Sequence, residues 1–270
     1  LLGPNGAGKS TTIGIVSSLV SKSGGKVRIC GIDIDDDFSL AKKQIGIVPQ
    51  EFNFNVFEKA EDVLIHQAGY YGIPIGLARQ RAVYYLEKLG IADKQHVQMR
   101  MLSGGMKRRL MIARAIIHEP RVLILDEPTA GVDIEMRRSM YEFLRETNEE
   151  GRTIILTTHY LEEAEMLCRN VAIINHGKIV TQGSIKDLLR DLNSETFLLD
   201  TQDALPSGIE VPGFALRQVE PQCLEVDLAK GQDLAQVFTA LSGAGVTVVS
   251  MRNKENRLER MFVNVLEGAS

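Results

Sequence analysis

Short apolar runs rich in β-branched residues recur through the first two thirds of the chain and lead into helical stretches. Ile45-Gly46-Ile47-Val48, Val122-Leu123-Ile124-Leu125 and Thr153-Ile154-Ile155-Leu156 are the clearest. Continuous rather than alternating apolar character is what parallel strands buried on both faces require. Between them, Val83, Leu86 and Leu89 lie at helical spacing within residues 77–89, and Gly90 follows as a C′ residue, so a helix is predicted there. Residues 171–174 and 178–181 flank Asn175-His176-Gly177, the pattern of a hairpin in which glycine supplies the positive φ.

Ser184 is a predicted N-cap for a short helix running towards Leu192, and the character changes after it. Pro206, Gly208, Pro212 and Gly213 mark a connector within residues 201–213. A domain boundary is expected between residues 193 and 194, just before a strand at Phe197-Leu198-Leu199. Beyond it Leu224, Val226 and Leu228 alternate with Glu225 and Asp227, as in a half-buried strand. Leu234, Val237, Phe238 and Leu241 repeat at i, i+3, i+4, i+7, as do Leu258, Met261, Phe262 and Val265. With a strand expected at residues 246–249 between these two helices, residues 194–270 read as a small α/β domain.

Composition narrows the function classes. Apolar residues make up 44% and charged residues 24% of 270 residues, enough for a globular core. Lys plus Arg is 31 against 35 for Asp plus Glu, a net charge of −4, which argues against a nucleic-acid partner and makes any anion site local. No apolar stretch reaches the roughly 18 residues of a bilayer span. Cys30, Cys168 and Cys223 are far apart, outside any CxxC spacing, and fit free thiols better than bridges or a metal site. The chain opens on Leu1-Leu2 and enters a glycine-rich turn at once, so a fragment lacking its first strands is expected.

That turn, Gly3-Pro4-Asn5-Gly6-Ala7-Gly8-Lys9-Ser10, matches G-x-x-x-x-G-K-[ST], and Thr11 and the apolar face Ile13, Val16, Leu19, Val20 follow. Its glycines let backbone N–H groups wrap phosphates at a helix N-terminus, Lys9 reaches the β- and γ-phosphates, and Ser10 is a Mg²⁺ ligand. An apolar strand then ends in Asp126-Glu127-Pro128. Adjacent carboxylates repel and resist desolvation unless a cation compensates, so Asp126 is assigned to Mg²⁺ and Glu127 to polarising an attacking water. Ser103-Gly104-Gly105, followed by Lys107-Arg108-Arg109 and Arg114, is a second glycine turn opening a helix and so a second phosphate cradle. Two cradles serve one nucleotide only if they come from two copies. The basic run is expected to be solvated or phosphate-facing.

These three elements together resemble the ATP-binding cassette (ABC) ATPases, and the resemblance extends to Pro49-Gln50, to Ala130-Gly131-Val132-Asp133 and to Thr157-Thr158-His159. It covers residues 3–159 in the family's order and spacing. It implies an α/β P-loop NTPase core on residues 1–193, with a parallel sheet, a helical subdomain at about 51–115 and antiparallel strands. It implies ATP and Mg²⁺ as ligands and a head-to-tail homodimer, each ATP lying between one copy's phosphate loop and the Ser103-Gly104-Gly105 turn of the other. Gln50 would sense Mg²⁺ and the permease, Asp133 would tie the two sites together, and His159 would contact the γ-phosphate and support Glu127. His66, His96, His118 and His176 are read as structural. Met106 followed by the Lys-Arg-Arg run is similar to the branch that pairs with ABC-2-type permeases on separate chains, which implies an exporter subunit at the cytoplasmic face of the plasma membrane. The Phe- and Tyr-rich stretch 51–71 is the candidate permease surface or, alternatively, the helical subdomain's own core. The family's adenine-stacking aromatic falls before Leu1. A cassette ATPase of translation or DNA repair is the rival reading; such proteins usually carry two cassettes or a long coiled-coil insertion, and neither occurs here.

Overall fold

A computed structural model describes residues 1–129, 131–190, 194–206, 209–229, 231–254 and 256–267. Ala130, Gly208 and residues 191–193, where the helix was expected to reach Leu192 and the domain boundary to fall, lie outside the described residues. The chain divides into two compact units, Leu1–His159 with Ile174–Lys178, and Tyr160–Ile173 with Ile179–Ser270. Cys30, Cys168 and Cys223 are free thiols.

The first unit is built on three parallel strands in the order β3 (Ile45–Val48), β4 (Val122–Asp126), β5 (Thr153–Thr157). The register pairs Val48 with Leu125 and Asp126 with Thr157, so the C-terminal ends of the strands finish side by side. Val48, Leu123 and Leu125 are fully buried, as runs of this composition demand. Ahead of the sheet lie α1 (Lys9–Val16), the two-residue strands β1 (Arg28–Ile29) and β2 (Ile32–Asp33), and α2 (Phe38–Lys43), which is capped by Asp37. Between β3 and β4 come α3 (Ala60–Tyr70), α4 (Ile75–Lys88) and α5 (Gly104–Ile116); α3 and α4 pack against each other and both meet α5. Gly90 closes α4 with φ 65° as its pattern predicts. Helix α6 (Ile134–Glu149) links β4 to β5 and buries Met140, Phe143 and Leu144.

Helix α1 is shorter than its apolar spacing suggested. It stops at Val16, Ser18 takes φ 57°, and the amides of Leu19 and Val20 both donate to Gly14 O. Leu19 is consequently exposed and Val20 folds back towards Gly14, where the missing side chain leaves room.

In the second unit α7 (Leu161–Leu167) precedes β6 (Asn170–Asn175) and β7 (Lys178–Ser184), whose connecting His176 and Gly177 both have positive φ, as tight two-residue hairpins require. The tip of this hairpin, Ile174–Lys178, belongs to the first unit. Ser184 accepts the Asp187 amide at the start of α8 (Ile185–Arg190). An antiparallel sheet follows in the order β11 (Val248–Asn253), β8 (Ser194–Thr201), β10 (Cys223–Ala229), β9 (Ala215–Glu220). Phe197, Leu199, Leu224 and Val226 form its core with Val237 and Leu241 of α9 (Leu234–Gly243). Helix α10 (Arg257–Glu267) buries Leu258 and Met261 and packs against α7 and α8. The last strand begins at Val248 rather than at Val246, because Val246 is spent in the turn after α9, where its amide bonds to Leu241 O.

Candidate nucleotide site

The phosphate loop joins Leu2, whose carbonyl accepts the Ile174 amide at 2.8 Å, to α1. Gly6 and Gly8 have φ of 79° and 108°, a left-handed backbone that glycine adopts without strain, and a Cβ on Gly6 would meet nothing within 4 Å. Ala7 O accepts the Gly177 amide at 2.9 Å, so the hairpin tip holds the loop from behind. Pro4, Asn5 and Gly6 are exposed while Gly3 and Ala7 are buried. Lys9 is 7% exposed, and its ammonium donates to Gly3 O at 2.7 Å and Pro4 O at 3.1 Å. Ser10 and Thr11 stand exposed in the first turn of α1, at the positive end of the helix dipole.

The strand ends bring the acids to the same place. Ser10 Oγ lies 3.5 Å from Asp126 Oδ2. Glu127, the next residue, has φ 47°, a conformation that is rare outside glycine and found mostly where a site holds it. Gln50 Nε2 donates to Glu127 Oε2 at 3.1 Å, and His159 Nδ1 lies 3.0 Å from Glu127 Oε1. An ionised carboxylate only accepts, so Nδ1 is assigned the proton. Both oxygens of Glu127 are thereby held in a fixed direction, although its side chain is only 13% exposed.

Thr157 organises this pair; the sequence placed it in the Thr157-Thr158-His159 motif but gave it no role of its own. Fully buried at the end of β5, it donates its hydroxyl to the Asp126 carboxylate, while its carbonyl accepts the Glu127 amide at 3.0 Å. The signal lay in the Thr-Thr-His string, where a hydroxyl ends the apolar run Ile154-Ile155-Leu156.

The other expected residues sit elsewhere in the unit. Ser103 caps α5, accepting the Met106 amide at 3.3 Å, and Asp133 caps α6, accepting the Met136 amide at 2.9 Å. The two turns meet at Met136: a Cβ on Gly105 would run into its sulfur, so the turn lies this close only while position 105 has no side chain or Met136 moves aside. Among the described residues no hydrogen bond joins Ser103, Gly104 or Gly105 to the phosphate loop of the same chain.

In the basic run Arg108 and Arg109 meet backbone carbonyls instead of standing solvated. Arg108 is 4% exposed and donates to Pro49 O and Gln50 O, both at 2.8 Å, with its guanidinium over the Phe52 ring at 5.1 Å. Burial lowers its pKa, and the nearby Asp126 charge opposes that shift. Arg109 donates to Leu89 O at 3.0 Å and braces the end of α4. Arg114 and Arg100 similarly lie over Phe54 and Phe57.

A family model described as ABC transporter matches residues 1–130. Over 273 aligned residues the chain is 36% identical to the linearmycin resistance ATP-binding protein LnrL of Bacillus subtilis (strain 168), covering 98% of this chain and 88% of that protein. The chain belongs to the ABC transporter ATPases.

This ABC ATPase is also 40% identical over 190 residues to the Nod factor export ATP-binding protein I of Cupriavidus pinatubonensis (strain JMP 134 / LMG 1197), covering 70% of this chain and 58% of that relative. Among solved structures it resembles an ATP-binding subunit of an ABC transporter with TM-score 0.65, 29% identity and coverage of 70% of this chain and 79% of that one. A dimeric ATP-binding cassette in a post-hydrolysis state, bound to ADP and phosphate, matches with TM-score 0.61, 25% identity and coverage of 68% and 83%. The α/β P-loop cassette fold, ATP binding and ATPase activity follow for this ABC ATPase. Its donor set also fits Mg²⁺: Ser10 Oγ and Asp126 Oδ2 are hard oxygens beside an open glycine cradle. No cluster of three or more His, Cys, Asp or Glu suited to a metal is found among the described residues.

Proposed function

We propose that this subunit powers an ABC-2-type exporter as a homodimer bound to a permease on a separate chain, at the cytoplasmic face of the plasma membrane. The observation that carries the hydrolytic part is the Glu127 carboxylate held between Gln50 and His159, next to the Ser10–Asp126 pair. Export is supported by relatives named for Nod factor export and linearmycin resistance. Segments 51–55 and 158–165 also resemble the bacterial ATPase YadG. A peripheral role is supported by the helices: among the described residues none is long and apolar enough to cross a membrane.

Gly3 to Gly8 would wrap the phosphates with backbone N–H groups, Lys9 would exchange its loop carbonyls for phosphate oxygens, and Thr11 would add a hydroxyl. Ser10, Asp126 and Gln50 would hold Mg²⁺, which supplies charge neutralisation on the phosphates. Glu127 orients the attacking water and accepts its proton, and His159 holds the carboxylate and reaches the γ-phosphate. Ser103, Gly104 and Gly105 complete the site of the second copy, and Asp133 links the two sites. Residues 1–193 form the cassette, with the helical subdomain at about 51–115; residues 194–270 form a small regulatory or dimerising domain. Phe52 and Phe57, 46% and 65% exposed, offer the permease surface.

Two experiments test this reading. Ser103→Arg abolishes hydrolysis yet binds ATP at its own loop, and mixing it with Lys9→Ala restores an ATP-dependent dimer; no dimer in the mixture would overturn the composite site. Extraction in mild detergent recovers the protein with an integral membrane partner, whereas recovery with ribosomes or DNA instead favours the non-transport reading.

A further inference from the structure

The carbonyls of Pro49 and Gln50 fall just past the end of β3, where the strand no longer supplies partners and each needs another donor. Arg108 supplies both. It lies one turn into α5, and its two terminal nitrogens reach the two successive carbonyls at equal distance, 2.8 Å, a match that a planar fork makes and a single ammonium does not. Phe52 lies against the guanidinium and limits its freedom. The Gln50 side chain, fixed at its backbone in this way, donates to Glu127 Oε2. Gln50 therefore joins two hydrogen bonds, one at its carbonyl from the helix opened by Ser103 and one from its side chain to the carboxylate beside the phosphate loop.

The geometry points to Arg108 as a positioning residue that fixes the Gln50 side chain, and through it Glu127, relative to the helix bearing Ser103-Gly104-Gly105. This rests on Glu127 being the base. It adds that the turn facing the second copy's nucleotide and the base of the chain's own site are set by one helix, so docking of that turn and turnover next to Glu127 are linked inside each protomer.

The test is a double-mutant cycle on steady-state ATP hydrolysis by the purified full chain, with binding of a fluorescent ATP analogue measured alongside. Arg108→Met lowers kcat about tenfold, while KM for ATP and analogue affinity stay within about twofold because the phosphate loop is untouched. Arg108→Lys recovers part of the loss, since an ammonium reaches one carbonyl. In a Gln50→Ala background Arg108→Met changes kcat by less than about twofold, because the side chain it positions is gone. Equal losses in both backgrounds, or an Arg108→Met enzyme with parental kcat, overturn the inference; should the Met variant not fold, the Lys variant is read through the same cycle. Glu127→Gln is run in parallel: turnover that survives it overturns the assignment of the base, whereas Glu127-dependent turnover with an additive cycle overturns the role of Arg108 alone.

Discussion

His159 Nδ1 stands 3.0 Å from Glu127 Oε1, and Glu127 presents that oxygen from a left-handed backbone at φ 47°. A non-glycine residue held there costs on the order of 1 kcal/mol or more, which the surrounding bonds to Thr157 offset. Glu127→Gln keeps the size of the side chain and removes the proton acceptor; its amide nitrogen cannot accept, so one of the two bonds from Gln50 and His159 is given up as well. Turnover is expected to fall about 10²- to 10⁴-fold with ATP binding retained and a nucleotide-bound dimer accumulating. Single-turnover hydrolysis and size-exclusion in ATP check this; near-parental rates would show that the water is activated by another group.

Thr157→Val replaces the hydroxyl that Asp126 accepts and leaves the buried volume nearly unchanged. The carboxylate loses its orientation, so kcat is expected to drop about tenfold and half-saturation by Mg²⁺ to rise. Thr157→Ser keeps the hydroxyl and stays near the parent. A Mg²⁺ titration of initial rates separates these outcomes, and identical curves for Val and Ser would dismiss the role of the hydroxyl.

Gly105→Ala places a methyl on the Met136 sulfur. Methionine is adaptable, so the expected loss is about 1 kcal/mol in urea unfolding. Met136→Ala in the same chain vacates the space, and the two changes together are less destabilising than their sum. Strict additivity would mean that the turn yields elsewhere.

His118 gives the fold a dependence on acid. Its ring stacks on Tyr71 at 3.6 Å and its Nε2 donates to Ile45 O at 3.0 Å. Burial, reinforced by the Arg81 charge and opposed by the Ile45 hydrogen bond, lowers its pKa from 6.5 to about 4. The unfolded chain therefore takes up a proton that the fold refuses, and stability fully present above about pH 6.5 is lost as pH falls towards about 4, by at most about 3 kcal/mol. His118→Phe keeps the stacking and flattens this part of the profile. Urea midpoints at pH 7.5 and 5.0 for the two proteins measure it; parallel profiles would remove His118 as the cause.

Strands β3 and β4, α4 and the second unit's core were legible because burial on both faces, a 3.6-residue period or strict alternation leaves a mark in local sequence; β5 pairs in parallel as expected but is not buried on both faces, since it lies at the sheet edge with Thr153 and Ile155 exposed. Strand β9 was not: Ala215–Glu220 is mostly exposed, and it is a strand because its backbone pairs with β10, a non-local fact. The phosphate loop and acid pair were legible because their chemistry dictates residue types at fixed spacing. Arg108 was not, since a Lys-Arg-Arg run looks alike whether its members meet solvent or buried carbonyls. Leu19 and Val20 continued the helical period, but periodicity carries no sign that Ser18 takes a positive φ.

The hairpin tip at Ile174–Lys178 gives the nucleotide loop an unusual dependence on time. Leu2 and Ala7 find their backbone partners in Ile174 and Gly177, some 170 positions downstream. Closing so long a stretch of chain is slow and comes late. During synthesis the loop cannot be completed until residue 177 has left the ribosome. A fragment cut after His159 would retain the phosphate loop, the acid pair and the signature turn in its sequence, and still lack the backbone that holds the first of them in shape.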